Sequence, residues 1–300
     1  MKILEFLKDK ENLIAFDNST TINRADVSIK NNSLTFKKGN EFFVFLDNYD
    51  AYNELEFNFH SQQKIKLFII VYQNKSIKMD YSFNLDDSVE LEVFTNFVSR
   101  RKTNNISNFI YNLKENSSLK LLNAITFNGN LDLNCTVNLD GEKSEATIDL
   151  LNIGGFSNKH KVRQDVNHQS KYTESYINNW LISLDNSVLD YSVSGFIEKG
   201  KEFSKCFQSN KGIMLSDSSQ IAVEPKLYID EYNVEAGHGA AIGQIDELQL
   251  YYLLSRGLSE TEAKSLIISG YTLPFIDKIS DEDIRRHVTS QSSRLIRRKA

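Results

Sequence analysis

An all-β body closed by a short helical segment is the fold class that the 300-residue sequence predicts. Three observations carry it. Short runs with apolar residues at alternate positions follow one another from about residue 33 to residue 197. Asn, Asp, Ser and Gly punctuate the runs, and no helical stretch interrupts them, which excludes the βαβα order of a doubly wound sheet. After residue 245 the apolar period changes and helix-capping signals begin.

The first sixteen residues place apolar side chains at Ile3, Leu4, Phe6, Leu7, Leu13, Ile14 and Phe16, and predict a short amphipathic helix over 2–9. SLTFKK, EFFVFLD, LEFNFH, KIKLFIIVYQ, KMDYSFNL and VELEVF then read as strands, with Phe42, Phe43, Phe45, Phe57 and Phe59 as core. SLKLLNAITF, LDLNCTVNL, EATIDLLNIGG, KHKVRQDV, NWLISL and VLDYSVSGFI continue the series. Such spacing suits a sandwich, a barrel or a solenoid. A strand region of roughly 190 residues favours a solenoid over one sandwich, whereas the lack of a sharp repeat disfavours it. Pattern alone leaves sandwich and irregular β-helix balanced.

Asp246, with Gln249 three residues later, opens the helix ELQLYYLLSR, and Gly257 supplies its C′ residue. Ser259 and Glu262 form a capping box for the next helix, with Ala263, Leu266 and Ile267 on its apolar side and Gly270 as its stop. Ser280 and Asp283 open a third helix, in which Arg285, Arg286, Arg294, Arg297, Arg298 and Lys299 complement the dipole. The chain thus divides into a short N-terminal segment (1–40), a β core (41–245) and a C-terminal helical subdomain (246–300).

Composition narrows the function. A net charge of −5 leaves no footprint for nucleic acid. No run reaches the roughly 18 apolar residues of a membrane span, and the N-terminus does not read as a secretory signal. Cys135 and Cys206 lie far apart, form neither a disulfide framework nor a metal knuckle, and read as small buried hydrophobes. A cytosolic setting fits best.

His238 stands in VEAGHGAAIGQIDELQ, among residues with almost no side chains. The stretch is not a dinucleotide loop. Tight turns and close backbone packing account for Gly237, Gly239 and Gly243, and a structural role is the default for the histidine. His60, His160, His168 and His287 are scattered and read as surface or turn residues. No H-E-x-x-H, P-loop or G-x-S-x-G is present. The pairs Asp86/Asp87 and Asp281/Asp283 suit turns and a helix start, and no carboxylate groove for a solenoid lyase can be assembled.

Residues 208–271 change the weighting. Gln208, Asn210, Met214, Leu215 and Ser216 are followed by Pro225, Leu227 and Ile229, then by His238, Gly239, Ala240, Gly243 and Asp246. Tyr252, Leu253, Ser255, Arg256, Gly257 and Ala263 close the series. In that collinear order the stretch resembles the SufB/SufD family of iron–sulfur cluster assembly proteins. Upstream, 105–207 matches in general character only. The G-H-G-A-x-x-G block looks like the SufD side, since the histidine–glutamate–alanine block and preceding cysteine of SufB members are absent. Ala236 stands where many SufD proteins carry a cysteine.

The resemblance implies a right-handed parallel β-helix followed by a helical subdomain, with a larger N-terminal helical part trimmed to the first 20–40 residues. It implies a non-catalytic SufD-like scaffold subunit of a SufBCD-type complex. A SufB-type subunit would pair through the end of the β-helix. A SufC-type ABC ATPase would dock on the C-terminal helices, at Tyr251, Tyr252, Leu253 and Arg256, and a cysteine desulfurase is a further partner. It also implies that His238 is a metal ligand for a transient iron–sulfur cluster at the subunit interface. A purely structural partner without a cluster ligand, and a SufB-like homodimeric scaffold, are the alternatives.

Overall fold

The computed structural model describes residues 5–17, 21–47, 53–73, 75–99, 102–126 and 128–297. Where the amphipathic helix is expected, Glu5–Leu7 form a single 3-10 turn, and residues 1–4 lie outside the described residues. The N-terminal strands are β1 (Leu13–Asp17), β2 (Thr21–Asn23), β3 (Val27–Lys30), β4 (Ser33–Phe36), β5 (Glu41–Asp47) and β6 (Glu54–Phe59). The middle holds β7 (Lys64–Gln73), β8 (Ile77–Leu85), β9 (Glu90–Ser99), β10 (Thr103–Leu113), β11 (Ser118–Thr126), β12 (Gly129–Leu139) and β13 (Glu145–Gly154). The last are β14 (Lys159–His168), β15 (Glu174–Ser183), β16 (Val188–Ile197), β17 (Lys205–Met214), β18 (Gln220–Ile229) and β19 (Glu235–Gln244). Three helices follow, α1 (Glu247–Ser255), α2 (Glu260–Ile276) and α3 (Glu282–Arg297).

From β5 onward each strand pairs in parallel with the strand two places away in sequence, so odd and even strands build two separate sheets. The result is a parallel β-helix of about 8 turns with a helical subdomain, the fold implied by the resemblance. Stacking is in register: Thr103–Leu113 meets Gly129–Leu139 residue for residue. Every predicted run overlaps a strand, and Phe127, at the end of one run, lies outside the described residues. NNISNFIYNL, in β10, escapes detection because Asn is depleted in strands generally. Here asparagine has a use. On the outer face of the even sheet, Asn112 Nδ2 donates to Asn84 Oδ1 (2.9 Å), Asn138 to Asn112 (2.8 Å) and Asn167 to Asn138 (2.8 Å). Amides spaced one rung apart bond along the stack, which offsets their low strand propensity.

The interior changes character along its axis. Early turns are aromatic, with Phe57, Phe83 and Tyr111 stacked at 4.5 Å intervals. Later turns are polar. Asn179 Nδ2 donates to Gln164 Oε1 and to Asn210 Oδ1, both at 2.8 Å. His160 and His168 are buried in this interior on β14, not at the surface or in turns. Nε2 of His160 donates to the Gly129 carbonyl (3.2 Å), and its Nδ1 meets the Asn152 side chain (2.8 Å). His168 lies between the hydroxyls of Thr173 (2.7 Å) and Ser175 (2.9 Å).

The helices fold back over the odd sheet. Ile268, Phe275, Ile279, Ile284 and Val288 form a second core with Phe45, Ile70, Leu122, Leu151 and Ile182 of its outer face. Lys278 pairs with the buried Asp149 carboxylate (2.7 Å) and lies over Trp180 (5.0 Å). Lys10 bonds Asp281 (2.6 Å). Helix α2 does not stop at Gly270 but runs on through Pro274. A glycine costs a helix only about 1 kcal/mol, and Ile268, Phe275 and Ile276 are buried on both sides of it. The cap of α3 is Asp281, whose carboxylate accepts from the Ile284 N–H (2.9 Å), while the Ser280 hydroxyl turns to Glu92. Arg298 and Lys299 lie outside the described residues.

Burial holds His160, His168 and His287 at pKa values pushed down to about 4. In the unfolded chain imidazoles bind protons below about pH 6.5. Between that value and about 4 the unfolded state therefore carries the extra protons, so stability is complete above pH 6.5 and falls on acidification. Urea unfolding at pH 7.5, 6 and 5 should show this loss, up to ~2 kcal/mol per fully buried imidazole by pH 5. The His160→Gln/His168→Gln variant should flatten the profile; a profile parallel to wild type overturns the assignment.

Candidate functional site

The two ends of the β-helix differ. At the N-terminal end the antiparallel pairs β1–β2 and β3–β4 close the sheets. Short antiparallel caps of this kind blunt an edge. At the other end β19 pairs only with β17, and β18 only with β16. Both are ten-residue strands with one free edge. Pro225 sits at the centre of β18 and removes a donor, as proline in edge strands does. Strand β19, EAGHGAAIGQ, contains no proline.

His238 lies in this last strand, in register with Gln208 of β17. Gln208 faces the interior and is buried. His238 therefore belongs to an inward row, but no rung covers it, so its ring is exposed. It makes no hydrogen bond or ion pair with the described residues. Two amides of the rung behind bond the backbone of the last two strands. Gln208 Nε2 donates to the Lys226 carbonyl (3.1 Å), which leaves its Oε1 buried and unpartnered. Asn210 Nδ2 donates to the Gly239 carbonyl (3.2 Å) and ties β19 to the rung behind it.

The glycines are not in turns. Gly237, Gly239 and Gly243 occupy a regular strand, and none has a positive φ. A Cβ at Gly239 or Gly243 would meet nothing within 4 Å, and one at Gly237 would make ordinary contact with the Phe207 ring at 3.5 Å. Nothing inside this chain requires their smallness. Gly195 is the contrast, because a Cβ there would lie 2.4 Å from Cys206 Sγ. Cys206 and Cys135 are both buried, and desolvation pushes both thiols up, Cys135 to about 12. Neither is poised as a thiolate. Among the described residues no group of three or more His, Cys, Asp or Glu side chains could hold a metal ion.

A second exposed surface lies on α1, which buries none of its residues. Asp246 caps it, accepting from the N–H groups of Leu248 (2.8 Å) and Gln249 (3.1 Å), and Gly257 ends it at φ +93°. Leu248 (79% exposed) and Tyr251 (71%) point to solvent, as do Tyr252 and, on α2, Leu266 and Leu273. Arg256 lies 5.2 Å from the Tyr252 ring, and Leu253 is half-buried. The free edge of β19 escapes sequence reasoning, its only signal being a glycine–alanine run with no turn to explain it. The bonds of Gln208 and Asn210 escape it too, although both residues belong to the series that carries the resemblance.

The model of the "SUF system FeS cluster assembly, SufBD core domain" family matches residues 78–271. The iron–sulfur cluster assembly protein SufD of Bacillus subtilis is 30% identical over 162 residues, 54% of this chain and 37% of that protein. SufD of Escherichia coli is 28% identical over 83 residues, 28% of this chain and 20% of that protein. An iron–sulfur cluster assembly SufBD family protein of Archaeoglobus fulgidus is 51% identical over 61 residues, 20% of this chain and 16% of that protein. The chain thus spans well under half the length of these relatives.

Gly239→Ala and Gly243→Ala should leave the folded chain as stable as wild type, or more stable by about 0.5–1 kcal/mol. Gly195→Ala should destabilise it by about 1–3 kcal/mol through overpacking. Urea titration of the three variants checks the contrast. A loss at Gly239 or Gly243 comparable to that at Gly195 would show that these glycines serve the chain's own packing.

Proposed function

The chain belongs to the SufBD family of SUF-system iron–sulfur cluster assembly proteins, and from that membership we propose that it is a SufD-like scaffold subunit that pairs through its last rung. The observation that carries the proposal is the free edge of β19, where His238 is exposed among residues whose smallness this chain does not need. Strand addition to such an edge supplies main-chain hydrogen bonds, and small side chains let a second backbone come close. The partner on this reading is a SufB-type subunit.

At the seam His238 would offer a neutral imidazole, a suitable ligand for iron. One imidazole holds iron weakly, so the remaining ligands come from the partner and the cluster is assembled as cargo between the two chains. Gln208 Oε1, buried without a partner one rung behind and in register with His238, would then serve as acceptor for the other ring N–H. Metal-bound histidines commonly have such an acceptor. The exposed apolar face of α1 and α2 would receive a SufC-type ATPase. Because α2 and α3 are packed onto the odd sheet, movement of the docked ATPases would displace whole solenoids and open the seam. No residue of this chain is assigned a catalytic role.

In a complex reconstituted with SufB-type and SufC-type subunits, His238→Ala should leave the assembly intact and slow cluster formation roughly tenfold or more. A normal rate in an intact complex overturns the ligand role and leaves a purely structural partner. Tyr251→Ser/Tyr252→Ser should abolish co-purification of the ATPase while the SufB-type subunit stays bound. Undiminished ATPase binding removes α1 as the docking surface.

A further inference from the structure

The corners that precede β9, β11, β13, β15 and β17 of the odd sheet each contain one residue in the left-handed region. Its N–H donates to a carbonyl of the next corner: Ser88 to Glu115 (2.8 Å), Asn116 to Glu142 (2.9 Å), Lys143 to Lys171 (3.3 Å), Tyr172 to Glu202 (3.1 Å) and Phe203 to Asn233 (2.6 Å). The first three are polar. The last two are aromatic, at φ +58° and +63°. Bulky side chains are disfavoured there, and such a conformation persists where something beyond local geometry selects the residue.

Both rings face solvent, each 45% exposed, and they stack on one another at 5.0 Å. The outer row of the odd sheet changes in the same way. It reads Lys66, Glu92, Lys120 and Thr147 along β7, β9, β11 and β13, then Tyr176 and Phe207 on β15 and β17. Those two rings also stack, at 5.9 Å, and are exposed. Between the stacks Lys205 pairs with Glu174 (3.0 Å), to which the Tyr176 hydroxyl also donates (3.0 Å). The aromatic face is thus confined to the turns adjoining β19, and equivalent positions in earlier turns are polar.

We propose that this face is part of the surface that binds the scaffold partner, which reaches from the edge of β19 back over Tyr172, Phe203, Tyr176 and Phe207. The inference rests on the pairing reading above. Continuity of the face with β19 supports it, and so does area. Stable interfaces bury on the order of 800 Å² and 20–30 residues per partner. Strand β19 offers ten residues, of which three are glycine and three alanine. Its edge supplies hydrogen bonds and register but little side-chain area, whereas exposed tyrosine and phenylalanine are the residue types that anchor protein interfaces.

Two variants of the full chain, titrated with the purified SufB-type subunit, separate the two claims. Tyr172→Asn/Phe203→Asn places a residue tolerant of the left-handed region at both corners. It should weaken binding roughly tenfold or more, while the thermal midpoint of the free chain stays level or rises. Gly239→Lys puts a charged side chain into open space beside the edge and should also abolish pairing. Wild-type affinity in the corner variant, with pairing lost in Gly239→Lys, overturns the aromatic surface and keeps the edge. Wild-type affinity in Gly239→Lys, or no binding by the wild-type chain, overturns edge pairing and the aromatic surface with it.

Discussion

Main-chain hydrogen bonds between consecutive turns are the constraint on which the rest of the molecule depends. Each strand satisfies half of its amides with the turn before and half with the turn after. The corners before β9, β11, β13, β15 and β17 repeat the rule, since the left-handed residue in each donates to a carbonyl of the next corner. A solenoid built this way cannot satisfy its own last turn. The N-terminal end closes with antiparallel hairpins, and the C-terminal end does not. Unpaired donors and acceptors along a ten-residue strand are a liability for a free protein and an asset for one that works in a complex.

Side chains follow this constraint. In-register stacking places like residues one rung apart, and asparagines, phenylalanines and alternating charges each exploit the spacing. Lys64 pairs with Glu90 (2.5 Å) and Lys120 with Glu92 (3.5 Å) on the outer face of the odd sheet. The aliphatic part of that face is covered by α2 and α3, while Tyr176 and Phe207 near the last rung stay exposed. Exposed surfaces are thus left at the last rung and on α1, while α2 and α3 are packed onto the odd sheet.

Strands whose outward residues are ordinary polar ones were legible from alternation. Strands β10 and β19 were not, because they owe their conformation to neighbouring turns more than to local propensity. The same cause hid His160 and His168: an interior row is defined by register, which one sequence does not display. Helix starts at Asp246 and Ser259 were legible because capping is local chemistry. The stop assigned to Gly270 was not correct, because packing against the odd sheet outweighs one unfavourable residue. His238 could be singled out by its bare surroundings. The reason for them, a free strand edge, is a property of the assembled solenoid. The choice between sandwich and β-helix likewise came from family resemblance, since both present the same alternation.

The asparagine ladder has a consequence for how such a chain can change in length. Its successive members are separated by 28, 26 and 29 residues, yet the amides stay aligned. The corners absorb the variation and the strands none of it. Insertions at corners should therefore be nearly silent, whereas one extra residue within a strand inverts inside and outside for the remainder of that strand. Growth or loss by whole coils leaves every other rung undisturbed. Architecture of this type can be lengthened like a stack of coins while the face it presents at the open end stays the same.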